Sequence, residues 1–421
     1  MADYARNKRF FSASTLLMLA IAAWMSLSLV WHEPVPERWR APLTCGLVLF
    51  SLCITSMRVL VTRKPDLPFA FVRAGGFVSS AFLALFWLTL LRDAFLVAVF
   101  LLGKTVPAPP SLKESASGLL LSIPFELSMF LGGFALAAAG MALALRPPVV
   151  REIAVPIRGL PHHLEGLRLV QISDLHIGAS FGRAWLSRTV ERVNALEADF
   201  IFITGDLADG SPERIGRHLA PLSDLKARYG VLAVPGNHDY YSGLGPWLEK
   251  WQGWGLTVLL NTHRDFNVNG NRVRVVGITD KCARHFPTFR HSPDMGPPDT
   301  LHALQTAARQ SGSPGTENEG LPAAPADLTV LLAHRPGDAA ENAALGVDLQ
   351  LSGHTHGGQF FFLFPLVSHM NKGFRAGLYH VSGMPLHVSP GTGMWGYAPM
   401  RWGTRSEISL LVLERFFKTN L

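Results

Sequence analysis

The stretch RLVQISDLHIG, residues 168–178, decides how the second half of this 421-residue chain is read. A short apolar run from Arg168 to Ser173 has the length of a buried strand, and it breaks into a polar turn carrying Asp174 and His176. The same texture returns four times. Phe200 to Thr204 leads into Gly205-Asp206, and Gly230 to Pro235 leads into Gly236-Asn237-His238-Asp239. Leu328 to Leu332 leads into Ala333-His334-Arg335, and Asp348 to Ser352 leads into Gly353-His354-Thr355-His356. Val273 to Gly277 is one further apolar run, and helical stretches at 184–196 and 339–345 separate some of these strands. The alternation reads as an α/β class domain. In open α/β sheets the strand ends along one edge form the ligand crevice, so these five loops are expected to converge.

Convergence sets the chemistry. The loops offer imidazoles, carboxylates and one amide oxygen but no thiolate, a set that suits Mn, Fe or Zn better than Mg or Ca. Asp174 and His176 lie two residues apart, as do His354 and His356, so each pair can reach one ion or two adjacent ones. A carboxylate such as Asp206 can bridge two cations about 3.5–4 Å apart.

Outward from this core the texture changes. Hydrophobic residues make up 48% of the chain and charged residues 16%, a balance atypical of a soluble protein, and almost all the long apolar runs lie before Arg146. Residues 10–31, 41–61, 72–103 and 118–145 read as about four membrane spans, since about 20 apolar residues cross a hydrocarbon core of about 30 Å. Residues 1–150 are thus expected to form an all-α transmembrane bundle, and 151–421 the α/β domain, with a disordered insertion near 311–326. Arg92, Asp93 and Glu126 fall inside the spans, where neutralising pairs are expected. Arg6, Lys8 and Arg9, then Arg58, Arg63, Lys64 and Arg73, favour an inside N-terminus and, with an even span count, a cytoplasmic α/β domain. The net charge of +7 forms no compact basic block, which argues against nucleic acid as a partner. Three cysteines make no disulfide framework.

Taken in order, the five segments Asp-x-His, Gly-Asp, Gly-Asn-His-Asp, His and Gly-His-x-His resemble the signature of the calcineurin-like metallophosphoesterases. The longer strings Ser-Asp-Leu-His-Ile-Gly, Thr-Gly-Asp-Leu and Leu-Ser-Gly-His-Thr-His-Gly-Gly-Gln resemble the bacterial YkuE-like branch, over about Arg151 to Leu413. The resemblance implies an α/β-β-α sandwich and hydrolysis of a phosphoric ester by two divalent metal ions. It implies one metal on Asp174, His176, Asp206 and His356, and a second on Asp206, Asn237, His334 and His354. It also implies that His238 donates a proton or hydrogen bond to the substrate and that Asp239 orients His238. The membrane anchor adds the expectation of a lipid-linked or membrane-proximal phosphodiester or pyrophosphate. Two rival readings remain at this stage: a phosphodiesterase or nuclease for soluble substrates, and a membrane receptor with a relic metal site. Arg335 and Arg401 read as exposed arginines outside the site, and Trp247, Trp251 and Trp254 as packing residues. Oligomeric state has no signal here.

Overall fold

The computed structural model describes residues 2–31, 35–63, 67–105, 118–178, 180–292, 294–306, 325–396 and 399–416. Two compact units emerge, one of residues 1–143 with 397–400, the other of 144–396 with 401–421.

The first unit is helical: α1 (Ala2–Leu29), α2 (Glu37–Arg63), α3 (Phe69–Thr105) and α4 (Ile123–Ala144). Among the described residues three stretches, Glu37–Val61, Phe69–Leu102 and Ile123–Ala144, are long and apolar enough to cross a membrane; Thr15–Leu29 is a shorter apolar helix. Their apolar side chains are largely outward, as Leu49, Phe95, Phe100 and Leu131 illustrate, and that surface suits lipid. Arg92, inside α3, is buried and donates to Asp93 at 2.8 Å and to Glu126 of α4 at 3.0 Å. Its guanidinium also donates to the Ser28 carbonyl of α1 at 2.7 Å. The charges expected to neutralise one another do so by direct contact.

The second unit is built on two six-stranded sheets. One runs in the order β1 (Val149–Ile157), β12 (Glu407–Arg415), β2 (Arg168–Ile172), β3 (Phe200–Thr204), β4 (Val231–Val234), β5 (Thr257–Val258). The other runs β10 (Gly377–Val381), β11 (Met384–Val388), β9 (Leu349–Ser352), β8 (Leu328–Leu332), β7 (Asn271–Gly277), β6 (Thr262–Val268). Within the first sheet β2 to β5 are parallel, and β12 is antiparallel to β2. In the second, β7, β8, β9 and β11 are parallel and the hairpin strands β6 and β10 close the edges.

Strand periodicity explains the layering. Side chains alternate faces along a strand, so Phe200 and Phe202 enter the core between the sheets with Leu169, Leu232, Val275, Val330 and Leu351. Ile201 and Ile203 point the other way, into a layer containing Leu186 and Val190 of α5 (Arg183–Asn194) and the buried Trp247 and Trp251. On the far side Val276, Leu331 and Leu386 pack with Ala303 and Ala339. Strands buried along their whole length such as β3 (FIFIT) and β4 (VLAV) read as near-continuous apolar runs, as parallel sheets require. The result is the α/β class with helix, sheet, sheet and helix layers, as expected. The insertion expected at 311–326 lies outside the described residues except for Pro325 and Ala326.

A small polar tie crosses the apolar interface. Gln171 donates to the Ser352 carbonyl at 2.9 Å and accepts from His387 Nδ1 at 2.7 Å, joining β2 to β9 and β11. Burial, and then the charge of Arg151, pull His387 down to about 3. The unfolded chain takes up a proton near pH ~6.5 that the folded chain refuses. Stability is therefore complete above pH ~6.5 and falls below it, by up to about 1.4 kcal/mol per pH unit. His387→Asn is expected to flatten this acid limb between pH 6 and 4, read as the urea midpoint of the detergent-solubilised protein at each pH.

Candidate metal centre

The five loops meet at the carboxyl ends of β2, β3, β4, β8 and β9. Backbone pairing lashes the first two together: Asp174 N–H donates to Gly205 O at 2.9 Å and His176 N–H to Asp206 O at 3.0 Å. Gly353 N–H donates to His334 O at 2.9 Å and ties the last two. Asp174, His176, Asp206, His354 and His356 all adopt positive φ, between 44° and 69°. Residues with a Cβ avoid this region, and such strain clusters at functional sites. The neighbouring glycines answer a different need. A Cβ on Gly236 would collide with Asp206 Oδ1, and one on Gly353 with Asp174 Oδ2.

Among the described residues three overlapping groups result: Asp174, His176 and His356; His176, Asp206 and His238; and Asp206, His334 and His354. Within each, the ligand atoms lie inside 4.8 Å of one another. Asp206 Oδ2 lies 3.2 Å from His334 Nε2 and 3.6 Å from His176 Nε2, and Asp174 Oδ1 lies 3.4 Å from His356 Nε2. Asp206 thus stands between the two halves of the cluster. Asn237 presents its Oδ1 beside His354, both engaged by the Arg335 guanidinium.

The donor set fits divalent cations on grounds internal to the molecule. His176 Nδ1 lies 3.1 Å from the Asp209 carboxylate, which only accepts, so Nδ1 is the donor of this pair and Nε2 is the nitrogen turned to the cluster. That Nε2 lies 3.1 Å from His356 Nε2, an approach of two nitrogens that a cation relieves. His334 donates through Nδ1 to the Thr204 carbonyl at 2.7 Å, while its buried Nε2 makes no hydrogen bond. Burial opposes protonation of His334, yet Asp206 and its other carboxylate neighbours raise it to about 10. A field that holds a proton in a buried site also favours a bound cation. Burial, with His334 and Arg335 beside it, pushes His354 down to about 3, and its Nε2 is an acceptor, taken here by Arg335 at 2.9 Å.

His238 is placed differently from expectation. Its Nδ1 lies 2.8 Å from Asp209 Oδ1, and Asp209, not Asp239, orients it. Burial opposes charge on Asp209, but His176 and His238 hold it well below the ordinary carboxylate range. The expectation for Asp239 is corrected. Its carboxylate accepts from the backbone N–H groups of Gly236, Asp206, Leu207 and Ala208 at 2.8–3.1 Å. The cause is geometric: His238 and Asp239 are adjacent on helix α6 (Asn237–Tyr241), and neighbours on a helix diverge by about 100°. Asp239 caps that helix and clamps the Asp206 loop.

The two arginines also depart from expectation. Arg401 is fully buried and donates to the carbonyls of Pro390 at 3.0 Å and Gly393 at 2.6 Å, a structural brace. Arg335 is half-buried at the cluster: Nε binds Asp280 Oδ2 at 2.6 Å, and its outer nitrogens reach His354 Nε2 at 2.9 Å and Asn237 Oδ1 at 3.1 Å. Sequence reasoning missed Asp209 and Asp280. Their signals were faint: Asp209 follows Asp206 by three residues in one loop, and Asp280 lies just past β7 on the same sheet edge.

Known proteins place this geometry. The model of the calcineurin-like phosphoesterase family matches residues 167–358. A Danio rerio protein called transmembrane protein with metallophosphoesterase domain is 37% identical over 288 residues, covering 66% of this chain and 60% of the relative. Its Bos taurus namesake is 30% identical over 423 residues, 96% of this chain and 88% of the relative. The uncharacterized metallophosphoesterase YkuE of Bacillus subtilis is 28% identical over 286 residues, 65% of this chain and 89% of that one. The cattle relative is matched along most of its length and nearly all of this chain's, and the chain belongs to the calcineurin-like phosphoesterase family.

Proposed function

We propose that the chain hydrolyses a phosphodiester or pyrophosphate bond in a lipid-linked or membrane-proximal substrate, with two divalent cations, Mn, Fe or Zn. The observation that carries this reading is the overlap of three ligand groups through His176 and Asp206 at one sheet edge. One cation would be held by Asp174, His176, Asp206 and His356, the other by Asp206, Asn237, His334 and His354. Bound there, such a pair acidifies water and offsets the charge that grows on phosphoryl oxygens.

The protein's own groups do the rest. Asp209 fixes the His238 ring through Nδ1, so that Nε2 can pass a proton to the departing oxygen. Arg335, held by Asp280, carries a planar fork of donors suited to the non-bridging oxygens of a phosphate. Arg335→Gln is expected to raise KM for a phosphodiester about tenfold, the scale of one charge-assisted hydrogen bond (~1.5 kcal/mol), with a smaller effect on kcat. Steady-state kinetics checks this, and an unchanged KM removes Arg335 from substrate contact.

The membrane side of the proposal rests on the apolar helices and on relatives named as transmembrane proteins. About four spans over residues 1–150 would leave the catalytic domain, residues 151–421, on the cytoplasmic side. An enzyme so tethered samples a nearly two-dimensional pool, which favours lipid-linked substrates. The test is a panel on the metal-loaded, full-length protein: bis(4-nitrophenyl) phosphate, 4-nitrophenyl phosphate, a cyclic nucleotide, single-stranded DNA and a micellar lipid pyrophosphate. Preference for the lipid is the expected result. Faster turnover of DNA or cyclic nucleotide would select the soluble-substrate reading, and no turnover of any would favour a receptor.

A further inference from the structure

The loop that carries His354 and His356 continues into an apolar projection. Gln359 leads into Phe360, a 3₁₀ turn (Phe361–Leu363) and a short helix (Phe364–Met370), reading FFFLFPLVSHM over 360–370. Neither the turn nor the helix contains a buried residue. Phe361 is 60% exposed, Leu366 54% and Met370 73%. Trp395, whose carbonyl accepts from Gln359 at 3.2 Å, is 51% exposed. Soluble surfaces scatter such residues singly; several in one projection mark an interaction site.

The projection is held in place. Phe361 N–H donates to Trp402 O at 2.8 Å, and Arg375 donates to Gly357 O at 2.8 Å while its guanidinium lies 3.9 Å from the centre of the Phe364 ring. Thr355, between the two histidines, donates to the Arg375 carbonyl at 2.5 Å. Whatever the projection touches is therefore fixed relative to the metal loop.

Charge identifies the occupant. Between Asp348 and Glu407 the sequence contains no acidic residue, while Lys372, Arg375, Arg401 and Arg405 supply positive charge. Arg401 is internal and Lys372 reaches back to Asp338 and Glu341, which leaves Arg375 at the projection and the exposed Arg405 two residues past Gly403, whose position abuts Phe361 and Phe364. Apolar side chains with Arg375 among them, and with the nearby Asp338 and Glu341 carboxylates confined to the Lys372 end, match the boundary between headgroups and acyl chains in an anionic bilayer. At about 1.5 Å per residue, residues 361–370 extend about 15 Å, half of a hydrocarbon core, so they are too short to span and suited to lie in the interface. The helices of the same chain keep a bilayer close, so even a weak contact is populated.

We propose that Phe361, Leu366 and Met370, with Trp395, dip into the lipid interface and hold the His354–His356 loop at headgroup level. This goes beyond the hydrolase reading and is tested apart from it. Leu366→Cys, Met370→Cys and, as control, Leu301→Cys are made in full-length protein whose Cys45, Cys53 and Cys282 are replaced by alanine. Each is labelled with an environment-sensitive nitrobenzoxadiazole and reconstituted into phosphatidylcholine–phosphatidylglycerol vesicles. Brominated phosphatidylcholine is expected to quench the labels at 366 and 370 at least twofold and to leave the label at 301, on an exposed helix face elsewhere, unchanged. Equal, negligible quenching at all three positions overturns the proposal. Blue-shifted but unquenched labels at 366 and 370, with cross-linking between copies, also overturn it and assign the surface to a second copy of the chain. Turnover of soluble bis(4-nitrophenyl) phosphate, measured on the same vesicles, reports on the hydrolase reading alone.

Discussion

Asp206→Asn is expected to remove nearly all turnover and to leave the purified protein depleted in both cations. Asp206 Oδ2 lies 3.2 Å from His334 Nε2 and 3.6 Å from His176 Nε2, residues that belong to different halves of the cluster. Its Oδ1 accepts the His238 N–H at 2.7 Å, so the carboxylate also positions the next loop. An amide keeps the shape but loses the charge, and one of its two atoms becomes a donor that repels a cation. Loss of activity alone would not separate metal loss from misfolding. Metal content and the melting curve should therefore be measured together, with an intact melting transition expected.

His238→Ala is the complementary case. The Asp209–His238 pair lies beside the cluster, the His238 ring edge-on to His176 at 4.6 Å, but His238 is a member of neither proposed ligand set. Turnover is expected to fall by about 10²–10⁴-fold, the range of a general acid or base, while both cations stay bound. Metal loss in this variant would show that His238 is a ligand and that its proposed role is wrong. Asp209→Asn should fall between the wild type and His238→Ala, because the ring stays but loses the partner that fixes its tautomer.

Much of the fold was legible because its central strands are buried on both faces. Phe200–Thr204 and Leu328–Leu332 are found where the sequence places them, since continuous apolar runs between polar turns have few other uses. The edges were less legible. β1 mixes Arg151 and Glu152 into its run, and β12 comes from the far end of the chain to lie between β1 and β2. Linear order carries no trace of such an insertion. Strand ends share an edge, and six of the seven candidate ligands fall in three overlapping groups whose atoms lie within 4.8 Å inside each group. The supporting shell was not legible. The resemblance implied that Asp239 orients His238, whereas helical geometry turns it toward four backbone amides. Burial of a single arginine has no local signature, so Arg401 and Arg335 looked alike. One proves to be a brace among carbonyls and the other stands at the cluster.

In the helical unit, Arg92 binds both Asp93 and Glu126 and a carbonyl of α1. Neutralised and hydrogen-bonded in this way, the group ties α1, α3 and α4 at one level, a use of buried charge that needs no role in catalysis.

The central claim is that five loops hold two cations through a shared Asp206. Metal stoichiometry of the purified full-length protein, by inductively coupled plasma mass spectrometry after loading with Mn, Fe or Zn and removal of free metal, tests it most directly. Two equivalents per chain in the wild type and few or none in Asp206→Asn are the predicted result. A wild type that retains no metal, or an Asp206→Asn protein that retains both, would contradict it.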